Sequence, residues 1–145
     1  DAKIAADQAY TRQWWNNDSP KCDVYVSQYV VEEASIGRAD SVARRIDLLR
    51  KIPLVEVDVE NVTQLARKLI DGHALPEGET TDALRIAVAS ITGMDVLLTW
   101  NCRHMANPHT LPKTRKIIAA AGSVCPLIMT PKTFIENERL EVTDD

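Results

Sequence analysis

Glu33, Asp82 and Asn101 are the side chains whose types and placement could do chemistry. Carboxylates gathered in a crevice suit Mg²⁺ or Mn²⁺, because hard divalent cations prefer oxygen ligands, and Mg²⁺ commonly takes one or two carboxylates together with waters and phosphate oxygens. An ion held this way polarises a phosphodiester and activates water for in-line attack. Glu33 lies six residues after Ser27, Asp82 falls in the first turn of a predicted helix, and Asn101 directly follows an apolar run. Each also has a plainer reading. Glu33, beside Glu32, suits a solvated helix face. Asp82 is favoured by the helix dipole, worth ~0.3–1 kcal/mol, with no metal required. Asn101 suits the N-cap of a short turn through His104.

Other residues weigh less. His104 is three residues beyond Asn101 and could reach the same edge, but one histidine without a second at ligand spacing is a weak metal signal. His73 and His109 fall in predicted loops. Trp14 and Trp15 could stack bases, yet adjacent aromatics on an amphipathic helix more often serve packing. Arg38, Arg44, Arg45, Arg50 and Lys51 make the clearest basic stretch and Lys113, Arg115 and Lys116 a second; both suit solvated helix faces, and either could track phosphates.

The elements that must position these residues follow from periodicity and punctuation. A helix runs from about Ala2 to Trp15 and is broken by Asn16 to Pro20. Val24 to Val26 reads as a strand, with Ser27 capping a helix to about Ile36 and Gly37 ending it. Ala39 to Lys51 is an amphipathic helix, Pro53 to Val57 a second strand, and Asn61 to Ile70 a further helix stopped at Asp71-Gly72. After the loop at Pro76 to Gly78, Thr80 or Thr81 caps a helix whose Ala83, Ile86, Ala87, Ser90 and Ile91 form a small apolar face closed by Gly93. Asp95 to Thr99 reads as a strand buried on both faces, with Asp95 structural at its far end. Lys113 to Ala121 is a helix, Leu127 to Met129 a last strand, and Thr130-Pro131 opens a final helix. Strands alternating with helices of this length predict an α/β fold with a mainly parallel sheet, and sites in such sheets collect at the carboxyl ends of strands.

Composition sets the bounds. The 145 residues suit a single domain, 1–145. A formal net charge of -4 does not advertise a nucleic-acid binder as a strongly basic domain would. No apolar run approaches the ~18 residues of a membrane span. Neither a signal peptide nor a disulfide framework is read from the sequence, since Cys22, Cys102 and Cys125 are odd in number and lack CxxC spacing. A cytoplasmic setting is the expectation.

Taken as a pattern, these segments resemble the PIN-domain family. The resemblance is carried by Asp82-Ala-Leu-Arg-Ile-Ala87, Gly93 and Leu97-Leu-Thr-Trp-Asn101, with Ser27 to Glu33 as the earlier strand end and helix-borne acid. Thr99 to His104, continuing through Ala106-Asn107, and Cys125 to Pro131 are similar to the toxin-like PIN proteins of bacterial toxin–antitoxin pairs. The likeness covers nearly the whole chain. It implies a three-layer α/β/α fold and a metal-dependent endoribonuclease that cuts single-stranded RNA by hydrolysis, with water and not the ribose 2′-OH attacking phosphorus. Glu33 and Asp82 would hold Mg²⁺ or Mn²⁺, Asn101 would occupy the place of a further acid, and Thr99 and Ser27 would support the site. A cognate antitoxin covering the crevice and a homodimer are the implied partners. PIN domains normally begin with a central strand ending in an acid; the chain enters at its first helix, so that strand and one ligand are expected to be missing from it. Arg85 stands where many relatives have His. An Asp82–Arg85 salt bridge at i,i+3 is one reading of it, and a phosphate contact is the other. A non-catalytic PIN-like module binding RNA or protein is the alternative function. A receiver-like or nucleotide-binding domain ranks last, for want of a Gly-rich phosphate loop or a suitably ordered acidic pocket.

Overall fold

A computed structural model of the chain describes residues 1–143, with side chains through residue 140. Seven α-helices and two short strands follow one another as α1 (Ala2–Gln13), α2 (Gln28–Ala34), α3 (Ala39–Leu49), α4 (Val59–Asp71), α5 (Thr80–Ile91), β1 (Val96–Leu98), α6 (Leu111–Ala120), β2 (Leu127–Met129) and α7 (Pro131–Thr143). The fold is mixed α/β and mostly helical, as the alternation of periodicities predicts in its coarse form.

The core forms where apolar stripes of α4 and α5 meet. Val62, Leu65, Ala66, Leu69 and Ile70 recur at helical spacing on α4, and Ala83, Ile86 and Ala87 do so on α5. Small side chains on α5 let the two helices approach closely, and Val62, Leu69, Ala83, Ile86 and Ala87 are fully excluded from solvent. Met105, Leu111, Ile118 and Ile128 close the cluster from the segments that follow. Burying an aliphatic side chain of this kind contributes ~1.5–3 kcal/mol, so this pair of helices is the rigid base on which Asp82 and Arg85 stand.

The sheet is smaller than the predicted strands suggest. β1 and β2 pair in parallel with Val96 opposite Leu127, Leu97 opposite Ile128 and Leu98 opposite Met129. The predicted strands at 24–26 and 53–57 contribute one parallel bridge between Val26 and Leu54, in which Val26 N–H donates to Pro53 O and Val55 N–H to Val26 O. β1 is only half-buried at all three residues, against the expectation of burial on both faces. The reason is visible in the ladder: Asp95 O and Thr99 N–H engage β2, so alternation directs the backbone groups of Val96 and Leu98 to the other edge, where no strand pairs with them among the described residues.

Several local expectations are met and some are corrected. Ser27 caps α2, its hydroxyl accepting from Val30 N–H at 3.4 Å, and Gly37 follows at φ 123°. Neither Thr80 nor Thr81 caps α5; Glu79 holds the N-cap position without a side-chain cap bond, and Thr80 and Thr81 lie inside the first turn. Leu111 starts α6 two residues earlier than predicted, with Pro112 in its first turn, where a missing N–H costs nothing. The N-terminal helix leaves α geometry at Trp14, where a π-helical turn through Asp18 and a 3₁₀ turn Ser19–Lys21 carry the chain round. That turn presses Trp14 edge-on against Phe134 of α7, ring centroids 6.0 Å apart, in agreement with a packing role.

Candidate functional site

Three elements bring the predicted residues together at one end of α5. Asp82 sits in the first turn, its side chain 8% exposed. Arg85, one turn on, donates from Nη2 to Asp82 Oδ1 at 2.7 Å. The same nitrogen lies 2.7 Å from Glu33 Oε2, which arrives from the last turn of α2. From the other side, Asn101 Nδ2 donates to Asp82 Oδ2 at 2.7 Å. Glu33, Asp82 and Asn101 are thus assembled into one constellation, with Arg85 inside it. The expected Asp82–Arg85 pair forms, and its extension to Glu33, 49 positions before Asp82, is a relationship that no local spacing contains.

Asn101 is held at both ends of its amide. Its Oδ1 accepts from His104 N–H at 2.9 Å, capping the turn, while Nδ2 serves Asp82. Rotating the amide by half a turn would set N–H against N–H and oxygen against oxygen, so the two bonds together fix its orientation. Thr99 braces the same turn: its hydroxyl accepts from Asn101 N–H at 3.0 Å and donates to Met105 Sδ at 3.6 Å. Because Met105 is buried in the core, this contact ties the site to the packed interior. Ser27 stays one step removed, ordering the helix that carries Glu33.

His104 turns to Glu79. Its Nε2 lies 3.6 Å from Glu79 Oε1, an ionic contact when the imidazole is protonated. Glu79 is the one residue here that spacing gave no reason to select; its signal is an acid immediately before a predicted helix start, a common arrangement favoured by the helix dipole. His73, at φ 63°, and His109 lie in loops away from these contacts.

The donor set suits a hard divalent cation. Two carboxylates from different elements converge on one point, and a positively charged nitrogen already fills that point at 2.7 Å from an oxygen of each. Glu33 and Asp82 are the residues that could hold such an ion, at a position that Arg85 occupies in this structure. No third His, Cys, Asp or Glu joins them among the described residues, so waters or substrate oxygens would complete the sphere. Asn101 donates to the other oxygen of Asp82 and turns its own oxygen to His104 N–H, so it acts on Asp82 as an orienting group.

Compared with protein-family models, curated protein sequences and solved structures, the chain finds no match, and its chemistry rests on this geometry. No helix among the described residues is long and apolar enough to cross a membrane.

Proposed function

We propose that the chain is a PIN-type, metal-dependent endoribonuclease acting on single-stranded RNA, the toxin component of a toxin–antitoxin pair. The observation that carries this reading is the convergence of Glu33 and Asp82, from α2 and α5, on one cation position beside the carboxyl end of β1. Sites in parallel sheets gather at that end. When bound there, a divalent ion would polarise a phosphodiester and activate a water, which is the chemistry hydrolysis needs.

The chain's own residues supply the rest. Glu33 and Asp82 bind the charge, Asn101 sets the plane of the Asp82 carboxylate, and Thr99 holds Asn101 through its backbone. Arg85 is the cation best placed to meet a substrate phosphate, and His104 lies at the adjoining rim through its contact with Glu79. A three-layer PIN arrangement goes with this reading. It is supported by two separate parallel pairings, β1 with β2 and Val26 with Leu54, and by the edge of β1 away from β2, which no strand pairs with among the described residues. A cytoplasmic setting and an antitoxin covering the crevice follow from the same proposal. So does a homodimer, for which α3 offers a helix with no fully buried side chain and with Leu48 45% exposed.

One observation favours a second reading, a non-catalytic module of the same fold that binds RNA or protein: the position between the carboxylates is filled by Arg85. Cleavage of a mixed single-stranded RNA, with and without Mn²⁺ or Mg²⁺, separates the two. Metal-dependent cutting that disappears in Asp82→Asn supports the nuclease. Folded protein that binds RNA but leaves it intact under every metal condition supports the module.

A further inference from the structure

We propose that the Arg85 guanidinium and a divalent cation compete for the same position, so that Arg85 is a resident stand-in which must swing out before metal binds. This deepens the metal-site reading above and rests on it. Glu33 Oε2 and Asp82 Oδ1 both contact Nη2 of Arg85, each at 2.7 Å. A divalent ion held by these two carboxylates would compete for the space that nitrogen fills and meet its like charge. The two occupants exclude each other.

The surroundings fit a stand-in that can leave. Asp82 is almost wholly buried, and without Arg85 its carboxylate would keep only the neutral Asn101 amide as partner. An uncompensated buried charge is strongly destabilising, so the metal-free fold needs a positive group here. Yet among the described residues Arg85 is held through Nη2 alone, and its Nε is buried with no hydrogen-bond partner. A guanidinium fastened for structure usually uses its paired donors in a fork, which gives both strength and geometry. Here one nitrogen carries both contacts and an N–H goes unmet. Glu33, 52% exposed, marks the open side of the crevice, and the Arg85 side chain retains 21% exposure of its own. Rotation of the long side chain toward that side clears the position while keeping the guanidinium beside it, within reach of a phosphate. Arg85 is in this sense a positioning residue that holds the two carboxylates apart from each other's repulsion until the metal replaces it.

Mn²⁺ binding to the full chain, followed by electron paramagnetic resonance of the free ion, tests the exchange in wild type, Arg85→Gln, Arg85→Lys and Asp82→Asn. Removing a charged competitor from a partly buried site should tighten Mn²⁺ binding of Arg85→Gln roughly tenfold or more, with Arg85→Lys between it and wild type. Melting temperature provides the second readout: Arg85→Gln should melt below wild type without metal and gain more from Mn²⁺ than wild type does. Equal Mn²⁺ affinity in wild type, Arg85→Gln and Arg85→Lys, with loss in Asp82→Asn, overturns the competition and leaves the metal site standing. Absence of any binding sensitive to Asp82 removes the metal reading itself, and the competition with it. Should Arg85→Gln fail to fold without metal, recovery on adding Mn²⁺ supports the proposal, and unchanged affinity in Arg85→Lys counts against it.

Discussion

Asn101 donates to Asp82 Oδ2 at 2.7 Å while accepting from His104 N–H at 2.9 Å, so one amide closes a turn and orients a buried carboxylate. Asn101→Ala removes both bonds and leaves a buried oxygen short of a donor. A loss of about 1–3 kcal/mol is expected, the cost of an unmet buried polar group. Asn101→Asp should keep the turn, since a carboxylate oxygen still accepts, but sets a like charge against Asp82. The aspartate variant should therefore be destabilised in metal-free buffer and regain stability with Mn²⁺, an ordering that urea titrations with and without the ion would check.

Glu33 and Asp82 face the same nitrogen from opposite levels of burial, 52% against 8% exposed, and their neutral variants should separate accordingly. Glu33→Gln breaks a contact open to solvent and should change stability by less than about 1 kcal/mol. Asp82→Asn leaves Arg85 with one exposed partner and should cost several times more, on the order of 3 kcal/mol. Both variants should abolish metal-dependent RNA cleavage under the proposed function. An activity loss in Glu33→Gln without a shift in its denaturation midpoint is the informative result, because a Glu33 serving structure alone would lose activity only together with stability.

Much of this site was legible because its parts are local. The first-turn position of Asp82, the Asp82–Arg85 spacing, the Asn101 turn and the Ser27 cap are all set within a few residues, and the structure contains each of them. The helices of the core were equally readable from the stripes of α4 and α5. What spacing could not give was distance across the fold. That Glu33 meets Arg85 depends on how α2 packs against α5, and that His104 meets Glu79 depends on two loops. The predicted strands at 24–26 and 53–57 illustrate the same limit. Their β-prone residues mark extended chain, but a ladder needs a neighbour, and only Val26 and Leu54 find one. Thr80 and Thr81 are good capping residues placed one and two positions too late, behind Glu79.

Cys125 should make the fold sensitive to alkali. Burial pushes its thiol above the ordinary value of 9.0, with Arg115 acting in the opposite direction. The native state thus keeps this proton at a pH where the unfolded chain has released it. The associated stability is complete below the unfolded pKa and is lost as pH rises through the folded one, so the decline belongs above about pH 9. Cys125→Ala should flatten that part of the stability curve and leave pH 7 nearly unchanged. Alkylation gives an independent check, since only the thiolate reacts and a half-buried, protonated Cys125 should label slowly at pH 8.

Gly72 should prove intolerant of a side chain for a reason of packing. It ends α4 at φ -83°, where any residue is comfortable, so backbone conformation does not demand glycine. A Cβ at this position would instead lie 2.6 Å from Ile117 Cδ1 and 3.1 Å from Lys68 O. The first contact belongs to a side chain that can turn; the second is backbone and cannot. Gly72→Ala should therefore destabilise by about 1–3 kcal/mol through overpacking against Ile117 of α6 and the Lys68 carbonyl of its own helix. Ile117→Val removes the Cδ1 atom and should return part of that loss in the double variant, giving a coupling energy that single variants do not predict. Full additivity of the two substitutions would mean that the cost comes from the Lys68 carbonyl within α4 itself, and not from Ile117 of α6.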